Sequence, residues 1–389
     1  MTVVASVETF IVTVPRETPY LGPLGPGEHI NERGYVVRRG NGTVYPTWDR
    51  SVVVRVTTVD GAVGWGETYG ICAPRATCEI INDLLAPVLT GLDVRDPQAI
   101  WKELYGLMRV RGCWSGFYVD AIAALDIALW DLAGKAATLP LCHLLGKAPR
   151  AHVPGYVSGL PAASLPERVA LARALFDQGH RAFKFAAVVS HEGVVEEMAA
   201  LRDALGPAAE IMVDLHWKFD PDEALALCRA LAPYRPTFVE APVSPEDVAG
   251  LARVARESPV PIAAGEEWYT KYEAANRFAA GPLAFVQPEM GHTGVTQFLA
   301  IAELAVEHGT AVAPHATVGT GIFLAASLHA AAVVPNLWKH EWQHSVFDRN
   351  LALLSTDMAY ADGQYRVPSG PGIGVEPSPE LWQHAEPVS

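Results

Sequence analysis

Three short apolar runs each end on a carboxylate, and the ends are evenly spaced. EIMVD closes on Asp214, PTFVE on Glu240 and VPIAAGE on Glu266, with 26 positions from each acid to the next. A strand, a helix and two short loops take up about 25 to 30 residues in a (β/α) barrel. Successive strands of such a barrel are parallel neighbours, so their last residues gather on one rim. Three carboxylates gathered there repel one another unless a cation sits among them. With no cysteine or histidine in the set, the ligands suit a hard cation that keeps open positions for water or substrate oxygens. Mg²⁺ is the expected cofactor.

The same period runs on past the acids. Glu289 follows Glu266 by 23 positions, His315 follows by 26, and Glu341 by 26 more; Lys184 lies upstream on the second strand candidate, between two phenylalanines. His216, two places beyond Asp214, shares its side of the strand if side chains continue to alternate. Polar residues at the C-terminal ends of several barrel strands are where such enzymes carry their chemistry. Each has a plainer reading. Asp214, Glu240 and Glu266 could be surface acids, His315 a core histidine, and His216 a solvated or structural one. Glu289 could be a loop acid, Lys184 only the partner of a metal carboxylate, and Glu341 the partner of Lys339 or a nearby histidine. Seven in register favour a site, and Glu267, His292, His340 and His344 are assigned no role in its chemistry. The chain has no G-x-S-x-G elbow, no phosphate loop and no G-x-G-x-x-G fingerprint. A metal beside general bases suits removal of a proton next to a carboxylate, with the metal and an acid stabilising the enediolate.

The elements that must position these residues begin near His152. Eight strand candidates alternate with helices: HVPGYV, AFKFAAV, EIMVD, TFVE, PIAAGE, LAFVQPE, TAVAPH and NLWKHE. Ser244-Pro245-Glu246-Asp247 reads as a helix start, with Ser244 as N-cap and Pro245 at the first position. Gly309 closes the helix ending at His308. No helix of ordinary length follows NLWKHE. Upstream, residues 1–14 read as a strand, followed by a loop of about 35 residues rich in Pro and Gly (Pro15, Pro19, Gly22, Pro23), which reads as a lid over a site. SVVVRVTTV and AVGWGET form a hairpin with a tight two-residue loop at Asp60-Gly61. Residues 76–135 read as helical, most clearly in VDAIAALDIALWDLAGK, where Ile122, Leu125, Leu129 and Leu132 recur at helical spacing.

Composition narrows the class. With 389 residues the chain has room for two domains, and its formal net charge of −14 argues against nucleic acid as partner. No apolar run is long enough to span a membrane, and MTVVASVETF lacks the features of a secretory leader. Cys72, Cys78, Cys113, Cys142 and Cys228 are scattered and odd in number, which suits a reducing cytoplasm.

At this point the chain resembles the enolase superfamily, in its mandelate racemase-like branch. The residues that carry the likeness are VDAIAALDIALWDLAGK with LLGK, the Asp214/Glu240/Glu266 set, VAPH at 312–315 and PSGPGIGVE at 368–376. FKF at 183–185, DLH at 214–216, LAPYRPTFVEAP at 231–242 and IAAGE at 262–266 are most similar to galactonate dehydratase and related acid-sugar dehydratases. The resemblance implies an α/β fold: a (β/α)7β barrel over residues 141–344, with an α+β capping domain over 1–140 completed by the tail 345–389. It implies that His315 removes the proton α to the carboxylate of an aldonate or aldarate, and that Glu289 orients this histidine. It further implies that His216 protonates the departing β-hydroxyl, Glu341 stabilises the enediolate and Lys184 contacts the metal-bound carboxylate. The product would be a 2-keto-3-deoxy sugar acid, and the protein a homo-oligomer. Racemisation, epimerisation or lactone cycloisomerisation are the alternatives that share this enolate chemistry; a silent binding member of the fold is the reading from another class.

The departures from the pattern are specific. Glu289 stands in place of an aspartate, and TGV at 293–295 is one glycine short of the usual pair. Ala186 stands where racemases have a second lysine, and no lysine lies near the end of the sixth strand. Glu267 stands where galactonate dehydratase has an arginine, so galactonate is not the substrate this sequence points to first.

Overall fold

Eight parallel strands succeed one another in chain order around a ring. They are His152–Ser158, Ala182–Ala186, Glu210–Asp214, Val239–Glu240, Ile262–Ala264, Phe285–Val286, Ala311–Val312 and His340–Trp342. The eighth pairs with the first, and the seam between seventh and eighth is spanned by backbone hydrogen bonds from Trp338 N to Val312 O (2.8 Å) and Glu341 N to Pro314 O (3.1 Å). The computed structural model describes residues 3–16, 22–190, 192–316 and 319–389. A helix of ten or more residues follows each of the first seven strands. Only the five-residue Phe347–Leu351 follows the eighth. The architecture is a (β/α)7β barrel. No helix among the described residues is long and apolar enough to cross a membrane.

Local chemistry starts most of these helices. Ser164 with Glu167, and Asp220 with Glu223, form reciprocal capping boxes, each followed by proline in the first turn. Ser244 is not a cap: the fourth helix begins at Val248, and Asp247 caps it by accepting from Gly250 N at 2.7 Å. Ser244 instead closes a turn, its carbonyl accepting from Asp247 N.

Inside the ring, Tyr156, Ala182, Met212, Phe238 and Ala263 form one apolar layer. Two residues further along their strands, on the same side, come Lys184, Asp214 and Glu240. The fifth strand breaks this phase. Strict alternation from Ala263 would aim position 265 inward, but Gly265 adopts φ 122 and turns Glu266 inward instead. A Cβ there would lie 3.0 Å from Val286 Cγ2 and 3.2 Å from Gln287 N, so both the conformation and the space call for glycine.

A second, antiparallel sheet caps the rim. Its strands Val4–Pro15, Trp48–Thr58 and Val63–Tyr69 are joined by the C-terminal strand Ala385–Val388, which pairs with residues 9–12. The hairpin turn is one residue longer than the two-residue loop expected. Thr58 N bonds Ala62 O, and Gly61 at φ 84 supplies the left-handed step after the turn. The 21-residue helix Phe117–Ala137 lies between this sheet and the barrel helices Met290–Glu307 and Ile322–Ala331. It approaches the sheet closely because Gly64 and Gly66 have no side chains. A Cβ on Gly66 would stand 1.8 Å from the Ala124 carbonyl oxygen. Gly66→Ala is therefore expected to destabilise the protein by at least about 1–3 kcal/mol, read as a lower urea midpoint; an unchanged midpoint would refute this account of the packing.

The Pro/Gly-rich segment is partly described. Pro19 lies within 17–21, outside the described residues. Residues 22–26 and 43–45 line the cavity above the barrel rim, the latter from a short hairpin of Tyr35–Val37 with Val44–Pro46. Buried Arg38 ties the segment together, donating to Gly22 O, Pro23 O (2.9 Å) and Glu28 Oε2 (2.8 Å).

Candidate active site

The rim and the cap enclose a cavity of about 1080 Å³. On its floor Asp214, Glu240 and Glu266 each present an oxygen, and these atoms lie within 4.8 Å of one another. Glu240 is fully buried and Asp214 nearly so. Each acid leans on a cationic or imidazole neighbour. Lys184 Nζ donates to both Glu240 oxygens, at 3.0 and 2.8 Å, and lies 3.2 Å from Glu341 Oε1. His216 Nδ1 lies 2.9 Å from Asp214 Oδ2, and His315 Nε2 lies 3.1 Å from Glu266 Oε2. Neither imidazole contact is aligned as a hydrogen bond, so Glu266 Oε2 is buried without one. Burial pushes the Glu266 carboxyl well above its usual range; His315 opposes this, and the charges of Glu240 and Asp214 add to it. An all-carboxylate donor set with an unsatisfied inward oxygen fits a hard divalent cation.

His315 follows the seventh strand. Its Nδ1 lies 2.7 Å from Glu289 Oε2, while Glu289 Oε1 accepts from Gly291 N at 2.9 Å. That leaves Nε2 facing the carboxylates, 3.5 Å from Glu341 Oε2. Burial works against the charged imidazole, yet Glu266, Glu341 and Glu289 together raise its pKa to about 10. Cations bound by these acids would draw it back down. The longer Glu289 reaches the histidine because it caps a single helical turn, after which Gly294 breaks the helix with φ 62. Asp126 restarts it by accepting from Thr296 N (2.9 Å) and Oγ1 (2.6 Å). One glycine at the kink is enough.

Glu341 is held by Ala316 N (3.0 Å), Gln343 Nε2 (3.3 Å) and Lys184. Burial opposes its ionisation, but Lys184 and His315 keep its pKa below the usual value. Lys339, the alternative partner, pairs with Glu210 at the opposite end of the strands. Lys184 is buried, which disfavours its charge, yet Glu240 and Glu341 hold it protonated. His216 reaches the site by a different route from strand alternation. The strand ends at Asp214, and His216 and Trp217 adopt left-handed φ of 52 and 53. Asp214 Oδ1 accepts from His216 N at 2.8 Å and fixes this turn. Asp214 also raises the His216 pKa against the effect of burial.

All eight residues singled out from the sequence thus meet at one rim. His216 follows the third strand and His315 the seventh, and these two strands stand opposite each other in an eight-stranded ring.

Three more residues line the cavity: Tyr45, which nothing in the sequence singles out, and His292 and Glu267, which the sequence reading assigned no role. Tyr45, from the capping hairpin, lines the cavity and accepts from Asn41 Nδ2 at 3.0 Å. Burial pushes its hydroxyl up to about 12; Asn41 opposes this, while the charges of Asp214 and Glu266 add to it. His292 lines the same cavity with Asp120 behind it, and Glu267 stands beside Glu266. Nothing periodic marks Tyr45 or Asp120 in the sequence, because the cap brings them to barrel residues about 170 positions away.

Comparison with known proteins bears on this arrangement. Residues 167–381 match the family model for the enolase C-terminal domain-like fold, and residues 42–146 match that for the mandelate racemase / muconate lactonizing enzyme N-terminal domain. The chain is 32% identical over 340 residues to D-galactarolactone cycloisomerase of Agrobacterium fabrum, covering 84% of this chain and 88% of that protein. It is 34% identical over 358 residues to D-galactonate dehydratase of Ralstonia nicotianae, covering 86% and 90%. A member of the enolase superfamily from Agrobacterium tumefaciens superposes with a TM-score of 0.97 at 52% identity, over 100% of both chains. A racemase from Streptomyces coelicolor with bound magnesium superposes with a TM-score of 0.83 at 28% identity, over 99% of this chain and 100% of that one. With both domains matched and the fold shared along its whole length, the chain belongs to the enolase superfamily, in the mandelate racemase / muconate lactonizing enzyme family.

Proposed function

We propose that the protein is a Mg²⁺-dependent acid-sugar dehydratase. One observation carries the reading: two imidazoles lie against different members of the carboxylate set, His315 on Glu266 with Glu289 behind it and His216 on Asp214. Asp214, Glu240 and Glu266 would hold the ion, which supplies positive charge beside the substrate carboxylate. His315 Nε2 takes the proton from the carbon α to that carboxylate. Glu289, bonded to Nδ1, sets the tautomer and orientation of the ring. The electron pair left on carbon spreads into the carboxylate, which Lys184 contacts, and Glu341 stabilises the resulting enediolate. Collapse of this enediolate breaks the β-carbon–oxygen bond, and His216 gives the departing hydroxyl a proton so that it leaves as water. The enol that remains tautomerises to a 2-keto-3-deoxy sugar acid. Five unpaired cysteines suit a reducing compartment such as the cytoplasm.

The test is a stereochemical panel of aldonates and aldarates incubated with protein and Mg²⁺, then assayed with semicarbazide for a keto product. A blank result across both classes would sink the proposal. A second reading stops the same enolisation at lactone cycloisomerisation, the reaction in the name of a 32% identical relative. Deuterium entering recovered acid or lactone without loss of water would favour it. His216→Asn separates the two steps. It is expected to lower dehydration by about 10²-fold or more while α-proton exchange stays measurable. A parallel fall in both would remove His216 from the leaving-group role.

A further inference from the structure

Two cavity groups have no part in this chemistry. His292 lies in the first turn after Glu289, with its ring stacked flat on Tyr69 (centroids 4.2 Å apart, 10° between planes) and tilted against Tyr269 (4.6 Å). Its Nδ1 lies 2.6 Å from Asp120 Oδ1, on the capping helix Phe117–Ala137. Asp120 is 4% exposed, so the contact fixes the ring. Among the described residues no other hydrogen bond reaches the imidazole, and Nε2 is left to the cavity that His292 lines. Glu267 lines the same cavity from the end of the neighbouring fifth strand. Its Oε1 accepts from Trp268 Nε1 at 3.0 Å, while its Oε2 is buried with no partner. A buried polar atom left unpaired on a cavity wall is one that a hydroxyl of a bound molecule can satisfy.

We infer that His292, oriented by Asp120, and Glu267 form the subsite for the hydroxylated tail of the substrate, so that an aldonate is selected over an aldarate of equal length. The inference rests on the acid-sugar reading and adds the class of acid. A sugar hydroxyl donates to Glu267 Oε2 and, with its oxygen or a neighbouring hydroxyl, satisfies His292 Nε2 in either tautomer. A second carboxylate brings no hydrogen for Glu267. Of the cations that line the cavity, Lys184 stands at the metal end with Glu240 and Glu341, and Arg16 and Arg349 are both turned to Asp49. The Asp120 contact makes Asp120 a positioning residue and His292 a specificity residue.

The experiment uses the full chain with Mg²⁺. Calorimetry measures binding of four- and six-carbon aldonates and of six-carbon aldarates, and NMR follows water loss and deuterium entry at the α-carbon. The wild type is expected to prefer the six-carbon aldonate by about 10-fold or more over both others. In His292→Asn the amide keeps the contact with Asp120 but presents nothing at the Nε2 position. Its kcat/KM is expected to fall about 10-fold further on the six-carbon than on the four-carbon aldonate, with an unchanged unfolding midpoint. His292→Gln, which reaches the Nε2 position, is expected to recover part of that preference. Equal losses on both chain lengths, or a wild type that prefers the aldarate, would overturn the subsite. Preferential binding with neither water loss nor exchange would overturn the dehydratase reading and leave the subsite standing. No binding of any of these acids overturns both.

Discussion

His315→Asn is expected to lower turnover by about 10²- to 10⁴-fold while Mg²⁺ binding and the far-ultraviolet circular dichroism stay as in the wild type. The asparagine amide can take the place of Nδ1 against Glu289 Oε2, so the local chain keeps its anchor. What disappears is the nitrogen at the Nε2 position, which lies 3.1 Å from Glu266 Oε2 and 3.5 Å from Glu341 Oε2. The three proposed ligands come from the third, fourth and fifth strands and do not depend on this side chain for their placement. The loss should therefore fall on kcat, with α-proton exchange and water loss abolished together. Glu289→Gln is the informative companion, since it keeps a hydrogen bond to Nδ1 but removes the charge that favours a protonated ring. A smaller loss than for His315→Asn is expected from it. Full activity in His315→Asn, measured by keto-acid formation, would take the base away from this residue.

Much of this site could be read before any coordinates because the barrel repeats. An interval of 26 residues between strand ends, shortened to 23 at the step to Glu289, turns position in sequence into position on a rim, and Asp214, Glu240, Glu266, Glu289, His315 and Glu341 all follow it. Where the backbone leaves regular geometry, the same logic either failed or succeeded for the wrong reason. His216 reaches Asp214 through two left-handed residues rather than by alternation. Glu266 points inward only because Gly265 resets the phase of its strand. Ser244 carries every mark of an N-cap, but Asp247 sits nearer the first helical turn and won the competition for it. The capping layer was legible as strands and helices, yet its contributions to the cavity were not. Tyr45 and Asp120 become neighbours of the barrel residues through the docking of two layers, and no local pattern encodes a contact such as Asp120 with His292, 172 residues apart.

Glu266→Gln is expected to reverse the usual relation between a buried charge and stability. In chelator, the wild type confines Asp214, Glu240 and Glu266 within a few ångströms, with Lys184, His216 and His315 only partly offsetting them. Removing one of these acids relieves repulsion, and the amide is close in shape to the carboxyl. Without metal, the variant should therefore unfold at a temperature no lower than the wild type. Saturating Mg²⁺ should change the order. An ion that binds only the folded state adds RT ln(1 + [Mg²⁺]/Kd), about 2.7 kcal/mol at a hundredfold excess over Kd. The wild type should gain that increment in full. The variant, lacking one of three charged ligands, should lose at least about 10-fold in affinity and with it most of the shift, and its turnover should drop below detection. Glu240→Gln should behave differently, because Glu240 is also the main partner of buried Lys184. Weakening that pair costs stability even in chelator. The contrast between the two variants is the decisive measurement. If both were equally destabilised without metal, or if Mg²⁺ raised the melting temperature of Glu266→Gln as much as that of the wild type, the three acids would not be the seat of the ion.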